Sequence, residues 1–292
     1  MSLFSETVLK EVFSLSDLDQ TVASTIRLAA QNPVSLYLFF QRYTYFNGYA
    51  SSVISRLASS IAMSRYLFTD PDTMVIEEAD RGFEIAAEIM IAAADEGAYG
   101  VTHRALGQLL LKTVGDYAGL STDERNEFSR VPTWLDEIVE PVMAGYQGTP
   151  GDAASLIQAI GFHTASEMLG DREYALLDTI VCHENRGVGF NRYLREQTSP
   201  VKIRGHRYDP WCYVLIHGKH EGAGAEAKHF VHVLDALNML SLYRPEPEQQ
   251  IQEWVFQGFK AFVELQQRLF TEISRECLEL IQTSETTHLV SV

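Results

Sequence analysis

The sequence predicts an all-α protein, a single multi-helix bundle, and three observations carry that expectation. Apolar residues recur at helical spacing along nearly the whole chain. Capping and breaking residues fall between those runs and leave only short connections. Strand-like alternation is confined to residues 201–204, and no repeat period is visible.

The elements can be justified in order. Asn32-Pro33 pairs an N-cap residue with proline at the first helical position. The helical run behind it reaches about residue 68, with Gly48 as its one breaker and Asp70-Pro71 closing it. A second long helix is expected over 73–96. Gly97 and Gly100 interrupt it, and a new periodicity of Val101, Leu106, Leu109, Leu110 and Val114 follows. Ser121 with Glu124 has the form of a capping box, and Pro132 opens a helix ending near Gly145. Asp152 caps a helix that Gly170 is expected to end, and Asp171 caps another to about residue 196. The segment SPVKIRGHRYDP is the clear loop of the second half. Asp209-Pro210 then starts a helix to about residue 242. Pro245 and Pro247 separate it from a last helix over 248–282, and a polar tail, 284–292, is expected to fray. No linker divides the chain, so residues 1–283 read as one domain.

Composition limits the function classes. A chain of 292 residues, 46% hydrophobic, can bury a substantial core. A formal charge of -16 repels phosphate backbones and anionic lipid, which argues against nucleic-acid and membrane-surface partners. The longest apolar stretch, 34–40, is too short to span a bilayer. The opening MSLFSETVLKEVF lacks a basic region before an apolar run, so it does not read as a signal peptide. Cys182, Cys212 and Cys277 are scattered and form no CxxC, which reads as reduced thiols of a cytoplasmic protein.

Chemistry in a helix bundle is expected where Glu and His lie on apolar faces, because a buried charge needs a partner or a metal. Glu96 and His103 are seven residues apart, about 20° out of register and roughly 10 Å along an ideal helix. The two glycines between them permit a break that closes this gap. Read alone, the pair also fits a solvated Glu and a loop His. Glu167 sits on a helix of mostly apolar or small residues, with His163 one turn earlier; a simple His–Glu pair near a helix end is the alternative. The densest cluster lies in DPWCYVLIHGKHEGAGAEAKHFVH. There His217 and Glu221 are one turn apart on one face, with His220 beside them. Apolar flanks favour a buried polar site over a surface charge run. His183 and Glu184, adjacent and near Arg186, read as structural or exposed. Glu226/His229 and Glu285/His288 are Glu-x-x-His pairs such as ferritin-like di-iron proteins use, but the second falls in the tail. No GxSxG, HExxH, paired-Cys or phosphate-loop motif occurs.

The order Glu, His seven later, Glu, then His-x3-Glu in a late helix resembles the haem-oxygenase-like di-iron oxidases and oxygenases. Their pattern is Glu-x6-His, a lone Glu, then His-x3-Asp/Glu-x2-His. Glu96 and His103 match the first element, within DEGAYGVTHRALGQLL, which looks like the family's E-G-…-H-x-x-L. Glu167 matches the lone bridging Glu, and His217 and Glu221 match the first two members of the last triplet. The departure is Gly224, which stands where the third ligand belongs; His220 is the candidate substitute. A register through Glu226 and His229 would supply the last two ligands but put Gly222 in place of the first. The apolar lead-in to His217 favours the His217 register.

The resemblance implies a haem-oxygenase-like bundle holding two Fe(II) per chain with Glu96, His103, Glu167, His217, Glu221 and His220. O2 would be the co-substrate, and the target an unactivated C–H bond of a small aliphatic substrate. The chain is similar in length and layout to the azetidine-forming polyoxin-pathway branch. That implies a free amino acid such as isoleucine, desaturated or cyclised through a C–N bond in natural-product biosynthesis. Arg104 and Lys219 are candidate cations for its carboxylate. An external reductant and a homodimer are compatible with this expectation. Two other functions stay open: a metal-independent enzyme of the thiaminase-like or quinone-cofactor type on the same fold, and a non-catalytic helical ligand-binding protein whose His and Glu satisfy one another.

Overall fold

Helix starts fall where capping chemistry puts them in the computed structural model, which describes residues 3–13, 15–69, 81–98, 101–184, 189–218 and 224–290. Helices α1 (Glu6–Val12) and α2 (Ser16–Ala29) lead into α3 (Pro33–Phe46), where the Asn32 side chain accepts from the Val34 N–H. The expected break at Gly48 is a short 3₁₀ turn, Asn47–Tyr49, before α4 (Ala50–Met63). The break at Asp70-Pro71 lies outside the described residues. Helix α5 (Arg81–Ala98) is followed by α6 (His103–Tyr117), whose Thr102 cap accepts from the Ala105 N–H. The Ser121–Glu124 capping box is formed at α7 (Thr122–Phe128), and α8 (Thr133–Gly145) ends where expected.

Three boundaries differ from expectation. Gly170 does not end a helix: α9 (Ala153–Leu177) runs through it and passes into a π-helical segment, Asp178–Glu184, before α10 (Gly189–Gln197). Tyr174 and Leu177 stay buried beyond Gly170, so the helix keeps its core face. A Cβ at Gly170 would make only ordinary contact with the Glu226 side chain, at 3.5 Å, so the position tolerates a continuous helix. The expected loop folds into a hairpin of β1 (Val201–Ile203) and β2 (His206–Tyr208), turned by Arg204 and Gly205, both at positive φ. The single helix expected over 210–242 is divided into α11 (Cys212–His217) and α12 (Ala225–Leu242). The last helix, α13 (Glu248–Val290), continues through most of the tail, because no Gly or Pro interrupts it after Gly258.

Helices α9 and α13 form the central pair of this all-α multi-helix bundle. They approach closely because each offers a glycine to the other's backbone. A Cβ on Gly161 would meet the Val255 carbonyl, and one on Gly258 that of Gln158. Around them, Phe39, Phe40, Leu57, Ile160, Leu237, Phe259 and Phe270 are fully buried in one core. Among the described residues, no helix is long and apolar enough to cross a membrane.

Candidate metal centre

Five helices deliver polar side chains to one place inside this core. Glu96 comes from the last turn of α5 and His103 from the first residue of α6. The break between the two helices thus brings together residues that a continuous helix would hold apart. Helix α5 can lie close to α4 at this point because Gly97 has no side chain to strike Ser51. His217 is the last residue of α11, and Gly218 lets it approach α9; a Cβ there would lie 2.5 Å from the Ala175 nitrogen. Asp178 fixes the start of the same helix by accepting from the Trp211 indole N–H at 2.8 Å.

Glu96, His103 and His217 form a first set. Glu96 Oε1 lies 2.8 Å from His103 Nδ1 and 3.4 Å from His217 Nε2, and the two imidazole nitrogens are 2.9 Å apart. Atoms about 2.1 Å from a common metal would be separated by roughly 3.0–3.4 Å, so this spacing suits ligation. The His217 Nδ1–H donates to the Tyr213 carbonyl, which leaves Nε2 free to bind, and the ring stacks on Tyr174 at 4.3 Å. Burial pushes the Glu96 carboxyl up, but the hydrogen bonds and charge of the two histidines outweigh it. The carboxyl is held well below its ordinary range.

Glu167, Glu226 and His229 form a second set, all buried. His229 Nδ1 lies 3.2 Å from Glu167 Oε2 and 3.4 Å from Glu226 Oε2, while its Nε2–H donates to Asp95 at 3.1 Å. On the other side of Glu167, His163 Nδ1 lies 3.3 Å from Oε1. Burial and the charge of His229 push His163 down to about 3, so it stays neutral. Burial first, then the charge of Glu167, pushes Glu226 up to about 8. For His229, burial acts downward, yet its hydrogen bonds to Glu167 and Glu226 carry it up to about 12. Without a cation, then, the second set holds protons where a metal would sit.

Glu226 joins the two sets. Its Oε2 faces His229, and its Oε1 lies 3.8 Å from His217 Nε2 of the first set. Together the sets offer three carboxylates and three imidazoles. Among the described residues, the ion-pair partners of these carboxylates are all histidines. Two divalent cations would offset this charge, and mixed oxygen and nitrogen donors suit iron or manganese.

Four of the sequence-predicted residues meet here: Glu96, His103, Glu167 and His217. His220 and Glu221 lie outside the described residues, as does Lys219. Gly224 is the N-cap residue of α12, so the third position of the expected triplet precedes that helix. Glu226 and His229, the Glu-x-x-His pair of the other register, also join the site. His217 and this pair meet across the division between α11 and α12. The Glu226/His229 spacing is a signal the sequence carries; the helix break that makes it compatible with His217 is not. Asp95 and His163, which orient the ligands, carry no motif of their own. Arg104 is exposed and lines a cleft of about 170 Å³ that also reaches Glu96 and His103. His183, expected to be structural, pairs with buried Asp178 at 3.0 Å.

Comparison with family models, with characterised proteins and with solved structures gives no match.

Proposed function

We propose that this chain is a non-haem di-iron oxidase that uses O2 to attack an unactivated C–H bond of a small aliphatic substrate, in the manner of the haem-oxygenase-like enzymes its ligand order resembles. The observation that supports this reading best is the meeting of two three-residue donor sets at Glu226. Glu96, His103 and His217 would hold one iron and Glu167 and His229 the other, with Glu226 shared. When bound, two Fe(II) supply the O2 activation and electron transfer that no side chain can provide.

The chain's own residues set the conditions. Asp95 and the Tyr213 carbonyl take the outward N–H groups of His229 and His217, fixing ring orientation. Tyr174, Tyr213 and the buried faces of α9 exclude bulk water from Glu167, His217, Glu226 and His229, the buried donors. Glu96, Glu167, His217 and Glu226 line a small cavity of about 70 Å³ whose apolar wall includes Val53, Ile54, Val142 and Phe262. A free amino acid of isoleucine's size, desaturated or cyclised to an azetidine, is the substrate we propose, with an external reductant completing the reaction.

Anaerobic loading with Fe(II), followed by metal analysis and rapid mixing with O2, tests the proposal. It requires close to two irons per chain and a transient visible absorption. Fewer than about one iron per chain, or full activity in a metal-free Glu96→Ala variant, would overturn it and favour acid–base chemistry on the same fold.

A further inference from the structure

The cavity beside the donor sets holds two buried acceptors with nothing to accept from among the described residues. Glu173 is 4% exposed and Gln266 2% exposed, and both line the cavity that Glu96, Glu167, Glu226 and His217 also line. Glu173 Oε2 accepts from the Tyr43 hydroxyl at 3.1 Å, which braces the carboxyl, but its Oε1 has no partner; nor has Gln266 Oε1. A buried acceptor left unpaired is costly, and more so when it is charged. Two of them on residues that line one cavity mark a place where a ligand supplies the donors.

The ligand's chemistry follows from the lining. Among the described residues no Lys or Arg borders the cavity, and four carboxyl groups do. A group that satisfies both acceptors must carry at least two N–H or O–H donors, and the surrounding carboxyls favour a positive charge. A primary ammonium meets both requirements, with three donors on one compact cation. Burial first, joined by the charge of Glu226 and only partly opposed by the Tyr43 hydrogen bond, holds the Glu173 carboxyl well above its ordinary range, and a cation beside it would restore its charge. Glu173 follows Glu167 by six residues of α9, about 9 Å of helix rise, and Gln266 comes from the facing α13. The receptor is therefore set apart from the donor atoms and is not a seventh ligand.

We infer that Glu173, braced by Tyr43, and Gln266 form the receptor for a primary ammonium group of the substrate and so fix which carbon is presented to the donor sets. The inference rests on reading this cavity as the oxidase's substrate chamber. It adds a specificity determinant that no motif in the sequence marks.

Calorimetric titration of the full chain with 2-methylbutan-1-amine and its uncharged isostere 2-methylbutan-1-ol, at pH 7 and with Fe(II) content measured in parallel, provides the test. The amine should bind roughly tenfold or more tightly than the alcohol, the scale of a hydrogen bond to a charged group. Glu173→Gln should abolish that preference, Gln266→Leu should reduce it several-fold, and neither should alter iron stoichiometry. A Glu173→Gln protein with wild-type circular dichroism that still prefers the amine overturns the inference. If that variant does not fold, an undiminished preference in both Gln266→Leu and Tyr43→Phe overturns it. An amine preference that Glu173→Gln abolishes, in a chain that binds no iron, upholds the ammonium receptor while removing the di-iron reading.

Discussion

Asp95 shows how much of the proposed metal site would depend on a residue outside the two donor sets. It immediately precedes Glu96 on the same helix and is partly exposed, yet it reaches the outward nitrogen of buried His229. A carboxylate in that place holds the imidazole's inward nitrogen toward the cation and raises its basicity. Asp95→Asn keeps the shape and removes the charge. It should weaken Fe(II) or Mn(II) binding by roughly 10–100-fold, with little change in the melting temperature of the metal-free protein. Titration of the second metal equivalent measures it. Glu226→Gln should act more severely, because one amide cannot serve both sets. Iron content should fall from two per chain to one or fewer while the far-ultraviolet spectrum is unchanged.

Protons report on the same residues. Glu226 is raised from 4.5 to about 8 and His229 from 6.5 to about 12. Each raised group makes the folded, metal-free protein hold a proton that the unfolded chain would release. Their contributions are complete below the unfolded values and are lost as pH rises, for Glu226 between about 4.5 and 8 and for His229 between about 6.5 and 12. His163, lowered to about 3, acts the other way, but its contribution is complete above 6.5. Metal-free protein should therefore lose stability steadily from about pH 6.5 to 8.5. Loading the second set at pH 7 should release about two protons per chain, measurable by calorimetry in buffers of different ionisation enthalpy. An apo melting temperature that climbs over this range would contradict the assignment.

At the scale of elements, the site is built from interruptions. Glu96 and His103 meet because α5 and α6 are separate helices, and His217 meets Glu226 because α11 and α12 are. The first interruption is legible in the sequence: two glycines in seven residues announce it. The second is not, because the run from Val214 through GAGAEA is compatible with one helix in which His217 and Glu221 share a face. Periodicity reports which residues face the core when a helix is continuous. It carries no information about a helix that stops and restarts in a new register. Gly170 is ambiguous for a related reason, since a glycine inside a continuous helix looks the same in sequence as one that ends a helix. Capping residues, by contrast, act on their own few neighbours, which is why Asn32, Ser121 and Asp152 mark helix starts that the structure keeps.

The glycines at close approaches give element-scale expectations. Gly218→Ala would place a methyl against the backbone of α9 at Tyr174 and Ala175, displacing His217 from its stack. Metal at the first set should be lost with a modest fall in melting temperature. Gly258→Ala, far from the donors, should do the reverse. It forces the central α9–α13 pair apart at about 1–3 kcal/mol, lowering thermal stability while any remaining folded protein keeps its metal stoichiometry. Melting curves and metal analysis on the two variants separate the roles.

On the scale of the whole molecule, the donors tie five helices, α5, α6, α9, α11 and α12, to one point. Those helices lie far apart in sequence, with donors from Glu96 to His229, and the unfolded chain cannot assemble the same geometry. Metal that binds only the folded state stabilises it by RT ln(1 + [M]/Kd), about 2.7 kcal/mol when free metal is at roughly one hundred times Kd. Three carboxyls crowded with only histidines as ion-pair partners among the described residues make the metal-free state the weaker reference. For a chain of this size, such a gain should raise the melting temperature by roughly 4–5 °C. The rise should depend on metal concentration and reverse with a chelator. It should also protect the ends of α5 and α12 from exchange together, since the joined sets restrain both. Hydrogen exchange with and without Fe(II) under anaerobic conditions provides the measurement. Protection confined to a single helix would mean that the two donor sets do not act as one centre, and that Glu226 does not join them.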